Sequence, residues 1–109
     1  MTEIIYERDR HRVEIKGHTA YKTLGQDVLC AGVSTLAFTL AERVSAMSAA
    51  GQVEDATVYL EPGSTQISCE AYEGTENVIT LIFDTICAGF EILAINAPEY
   101  VSYRMISSL

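Results

Sequence analysis

Two side chains in the first third of the chain have the types and spacing for nucleophilic catalysis: His18 and Cys30. A thiolate is a strong nucleophile, and an imidazole titrates near neutral pH, so together they can deprotonate a thiol and attack a carbonyl. Gly17 and Gly25 flank the connecting stretch. A segment of that length spans the width of a helix end, so imidazole and sulfur are able to meet. A helical pattern begins near Asp27. With Asp27 as its N-cap, Cys30 lies in the first turn, where unpaired N–H groups and the positive end of the helix dipole favour a thiolate. The same amides, that of Cys30 included, are suited to hold an oxyanion.

Each of these residues has a plainer reading beside the chemical one. Cys30 is close to Val33 and is equally placed for burial. His18 taken alone is an ordinary surface-loop histidine. Asp27 either caps the helix, a contribution of about 1 kcal/mol, or orients His18. Its charge beside Cys30 opposes thiolate formation, which favours the capping role. Ser34, one turn after Cys30, either hydrogen-bonds in the site or is a plain helix serine. The other two cysteines read as small core residues, since Cys69 shares a strand face with Ile67 and Ala71, and Cys87 sits among Phe83, Ile86 and Phe90. A thiol redox sensor needs a resolving cysteine near Cys30, and neither of these qualifies. His11 falls inside the expected second strand.

The elements that must position the pair follow from periodicity. Residues 2–8 read as a strand, and residues 11–16 alternate, with Val13 and Ile15 on one face and Asp9-Arg10 as the turn. Val33, Leu36, Ala37, Leu40, Ala41, Val44 and Met47 make one apolar stripe on a helix over residues 27–49, which Gly51 helps to end. Strands are expected over 56–60 and 65–72, joined by Glu61-Pro62-Gly63-Ser64, a type II turn signal. Thr75 is placed to cap a helix over 77–95, and Tyr100–Ile106 reads as a last edge strand. The order β-β-α-β-β-α-β predicts one α+β domain over residues 1–109: a mostly antiparallel sheet with two main helices. The second helix is apolar nearly all round, which predicts that a second copy covers its extra face as a homodimer.

Composition narrows the partners. A chain of 109 residues, about half of them apolar, supports one modest core. No apolar run approaches the roughly 18 residues of a membrane span. Met1-Thr2-Glu3-Ile4 is acidic where a secretory leader is basic, so a cytoplasmic protein is expected. Three cysteines without short metal-ligand spacing argue against a disulfide framework and a zinc site. The net charge of −8 is uneven: from Gln26 onward, two basic residues (Arg43, Arg104) face eleven acidic ones, a net of −9. Such a surface repels nucleic acid and attracts basic partners, although acidity also serves solubility alone.

Gly17-His18 followed by Gly25-Gln26-Asp27-Val28-Leu29-Cys30-Ala31 and Val33-Ser34 resembles the signature of the ribosomal-processing cysteine protease family, Prp. That signature is a Gly-His-Ala segment, then Gly-x-Asp-Ile-Val-Cys-Ala entering a helix with a serine one turn on. Length, element order and acidic balance extend the resemblance over essentially the whole chain. Thr19 replaces the usual alanine, Val28-Leu29 replaces Ile-Val, and Gly32 stands where a larger residue is common. The resemblance implies a cysteine endopeptidase that removes an N-terminal extension from large-subunit ribosomal protein number twenty-seven during ribosome maturation. Cys30 would be the nucleophile and His18 the base, with no metal or cofactor. The substrate would be a basic ribosomal protein precursor and the enzyme a homodimer, with a mobile loop before the helix. The rival expectation is a non-catalytic ribosome-assembly module that binds such a protein without cleaving it.

Overall fold

A computed structural model describes residues 1–17 and 24–107, with side chains described for 1–17 and 29–107. The elements are β1 (Thr2–Glu7), a 3-10 turn (Arg8–Arg10), β2 (Arg12–Lys16), α1 (Leu24–Ala49), β3 (Val53–Glu61), β4 (Ser64–Ala71), α2 (Glu76–Asn96) and β5 (Val101–Ile106). This is the α+β order read from the sequence. The strands form one sheet in the order β3-β4-β2-β1-β5, antiparallel throughout except for the β1–β5 pair.

Period-two alternation decides which side of the sheet is covered. Ile4 and Tyr6 of β1, Val13 and Ile15 of β2, and Ile67 and Cys69 of β4 are all buried. Cross-strand pairing keeps them together, with Ile4 opposite Ile15, Tyr6 opposite Val13, and Val13 opposite Ile67. The predicted stripe of α1 packs on them: Val33, Ala37, Leu40, Ala41, Val44 and Met47 are buried, and Leu36 is packed at the margin. Helix α2 contributes Ile79, Phe83, Cys87 and Phe90 to the same core.

The two helices meet through glycines. A Cβ on Gly89 would lie 2.8 Å from Leu36 Cδ1, and one on Gly32 would lie 3.4 Å from Leu93. Gly32 thus receives Leu93 two residues beyond Cys30. Near the middle of α2, Asp84 accepts hydrogen bonds from Tyr6 (2.8 Å) and from Arg8 Nε and Nη2 (both 3.1 Å). The Arg8 hydrogen bonds hold the Asp84 carboxyl below its usual range. The network ties α2 to the β1–β2 hairpin.

Several local expectations are corrected. Helix α1 starts at Leu24 rather than Asp27, so Asp27 is its fourth residue and not its N-cap. Strand β3 starts at Val53, three residues early. Its acidic Glu54-Asp55 obscures the pattern, and a register shift between Glu54 and Thr57 accommodates Asp55 at φ 47°. Thr75 occupies the N-cap position of α2, but its hydroxyl donates to Tyr72 O (2.8 Å) instead of accepting from the helix. His11 lies outside β2: it follows the 3-10 turn at φ 46°, is only 7 % exposed, and pairs through Nε2 with Thr80 Oγ1 at 2.7 Å. Finally, α2 is long and apolar enough to cross a membrane, with a mean hydropathy of 2.1 over 18 residues despite its interior Asp84 and Glu91. In this fold one of its faces is instead committed to the core.

Candidate active site

The stripe that buries α1 also orients Cys30. With Val33 and Ala37 turned into the core, residues 30, 34 and 38 fall together along an adjacent face, because positions four apart are neighbours on a helix. Cys30 is half-buried there, while Ser34 and Phe38 are exposed. All three line one cavity of about 430 Å³.

Val33 and Ala37 complete the helix side of the cavity, and the opposite wall comes from the sheet: Thr2 and Ile15, Gly17 after β2, and the segment Leu60–Thr65 around the β3–β4 turn. Gly63 has φ 78°, the positive φ that the predicted type II turn requires after Pro62. Its carbonyl accepts a hydrogen bond from Gly17 N at 3.0 Å, which fixes the turn against the end of β2. Gly17 must itself be glycine. It has φ 83°, and a Cβ would stand 2.4 Å from the Met1 carbonyl oxygen.

The three cysteines separate by environment. Cys69 and Cys87 are each 2 % exposed, and burial pushes their thiols up to about 11 and about 12. The hydrogen bond with Tyr103 only partly offsets that burial at Cys87. Neither lines the Cys30 cavity, and the three form no disulfide. His18, the proposed base, lies outside the described residues, as does the loop that would carry it to Cys30. Asp27 is described only through its helical backbone. Of the five residues singled out, the structure brings Gly17, Cys30 and Ser34 to one cavity.

The earlier helix start changes the electrostatics. Cys30 is the seventh residue of α1, beyond the first turn whose amides are unpaired and whose dipole field is strongest. In that helix geometry the Cys30 amide is paired within the helix and is not the oxyanion donor that an Asp27 cap predicts. The Leu60–Thr65 wall was missed as part of the site. The turn itself was legible from Pro62-Gly63, but its facing Cys30 depends on β4 pairing with β2, which no local pattern encodes.

A half-buried thiol on a helix face, opening to a cleft of mixed polarity, is the kind of site cysteine hydrolases use. The family model for cysteine protease Prp matches residues 1–102, and the chain belongs to that family. Solved structures share the fold. SMU.848 from Streptococcus mutans is 24 % identical with a TM-score of 0.67, covering 98 % of this chain and 93 % of that one. The essential ribosomal processing protease Prp from S. aureus, in complex with a substrate peptide, is 16 % identical with a TM-score of 0.67, covering 96 % and 97 %. The same protease with a covalently linked product peptide is 19 % identical with a TM-score of 0.67, also covering 96 % and 97 %. No curated protein sequence matches the chain.

Proposed function

We propose that this chain is a cytoplasmic cysteine endopeptidase that removes the N-terminal extension of large-subunit ribosomal protein number twenty-seven. The observation that carries the reading is the position of Cys30 on a cleft while the other two thiols are buried. Family membership supports it, as do the substrate and product peptides held by the S. aureus relative.

His18 takes the proton from the Cys30 thiol, and the sulfur attacks the scissile carbonyl carbon. The tetrahedral intermediate collapses with cleavage of the C–N bond, and the imidazolium protonates the departing amine. Water, deprotonated by His18, then attacks the thioester, and the C–S bond breaks to release the carboxylate product and regenerate the thiol. Because Cys30 is beyond the first turn of α1, activation falls mainly on His18 rather than on the helix dipole. The basic substrate is drawn by the acid-rich body of the chain.

The working unit is a homodimer. On α2 the side chains of Val78, Leu81, Ile92 and Ile95 are 60 %, 66 %, 58 % and 69 % exposed in the single chain. With Thr85 and Ala88 between them they continue a 3–4 spacing, the seam that a helix from a second copy covers.

The test is peptide mass spectrometry after incubation with a precursor peptide spanning the extension junction. Two products are expected with the native protein and none with His18→Ala. Binding without any product in the native protein would instead establish a non-catalytic module.

A further inference from the structure

Among the described residues strand β3 is an edge of the sheet; the register shift at Glu54–Thr57 interrupts its start, and the regular stretch from Thr57 to Glu61 has neither lysine nor proline to block pairing along it. Natural edge strands usually carry such protection. Its last residues are open on both faces, with Val58 and Leu60 toward the helices and Tyr59 on the other side 37 %, 42 % and 47 % exposed. The two-residue Pro62-Gly63 connection closes on the pair Glu61–Ser64. Antiparallel alternation from that pair directs the backbone N–H and C=O groups of Leu60 and Val58 to the free edge. The other edge, β5, also exposes apolar side chains, Met105 and Ile106, but only β3 runs into the Cys30 cavity, through Leu60 and Glu61.

We infer that the peptide substrate docks by adding an antiparallel strand to the free edge of β3, its basic residues meeting the acidic end of that strand. The inference rests on the protease reading and extends it to how substrate is held. Charge selects the occupant. Carboxylate oxygens of Glu54, Asp55 and Glu70 lie within 4.8 Å of one another, and Glu61 stands at the cleft. The crowding makes Glu70 harder to ionise, chiefly through its hydrogen bond with Asp55. A lysine or arginine side chain relieves that repulsion, whereas antiparallel pairing with the same edge of a second copy would bring Glu61 of one strand toward Glu54 and Asp55 of the other and add to it.

Orientation follows. An antiparallel peptide enters at Glu61 and leaves toward Val53, so residues C-terminal to the scissile bond run along β3. At about 3.3 Å per residue, the cluster is roughly 20 Å from the cleft. Basic residues about five to seven positions after the scissile bond therefore reach it. In a processed precursor, that side of the bond is the basic body of the protein.

The experiment uses the precursor peptide and two analogues, one N-methylated at alternate positions after the scissile bond and one with its basic residues in that stretch replaced by glutamate. Affinity is measured with the Cys30→Ser protein, and cleavage with the native protein. Each edge hydrogen bond removed by N-methylation, or by Val58→Pro or Leu60→Pro on the protein, is expected to weaken binding about fivefold. The glutamate peptide is expected to bind more weakly still, with the difference fading at high salt. Alkylation of Cys30 at native rate in the proline variants shows that the site is intact. Cleavage and binding indifferent to N-methylation at every position would overturn strand addition while leaving the protease reading standing. Binding that obeys these rules without cleavage would leave docking standing and remove the protease. Dissociation of a dimer by the proline variants would assign β3 to a second copy and overturn the proposal.

Discussion

Cys30 of α1 and Glu61 of β3 line the same cavity, although 31 positions separate them in the chain. The cavity thus sets a half-buried thiol beside a carboxylate at the end of an edge strand. In the proposed reaction helix α1 would supply the nucleophile and the β3–β4 hairpin the surface that receives the peptide.

The first prediction concerns the thiols. At pH 7.5, iodoacetamide should modify Cys30 far faster than Cys69 or Cys87, whose burial both blocks access and disfavours the thiolate. Site-resolved mass spectrometry of the native protein measures the three rates. Equal rates would contradict a distinctive Cys30.

Gly17→Ala should destabilise the fold by about 1–3 kcal/mol, since it combines a positive φ with a backbone clash at Met1. Denaturant unfolding reads the loss. Because Gly17 also anchors the β3–β4 turn, peptide cleavage should fall further than stability alone explains. A variant of native stability and activity would show that the Gly17–Gly63 contact positions nothing.

His11 gives a pH signature. Burial, against partial opposition from Glu76, lowers its folded pKa below 6.5, so the unfolded chain binds the proton more readily. Its contribution to stability is therefore fully present above pH 6.5 and lost as pH falls through the depressed folded value. His11→Gln keeps a polar partner for Thr80 and should flatten that part of the stability profile. An unchanged slope would place the titration elsewhere.

Much of the framework was legible because burial here obeys simple periods. The α1 stripe, the core positions of Cys69 and Cys87, and the order of elements along the chain all follow from spacing. What stayed hidden depends on distant pairing or on competing side chains. Asp27 resembles a cap, yet the helix continues back to Leu24. His11 resembles a strand residue, but the 3-10 turn and Phe83, 5.7 Å away, draw it into the interior. Leu60–Thr65 becomes part of the site only through the sheet.

Leu81→Asp on the exposed row of α2 should shift a dimer to monomer, with little effect on monomer stability because that side chain is 66 % exposed. Light scattering over a concentration series measures it. A variant that remains dimeric would move the interface off this row.

The most direct measurement compares the native protein, Cys30→Ala and Cys30→Ser on one precursor by mass spectrometry, with circular dichroism confirming the fold of each. The native protein should release the extension, and both folded variants should release none. Cleavage by either variant at the native rate would contradict Cys30 as the nucleophile.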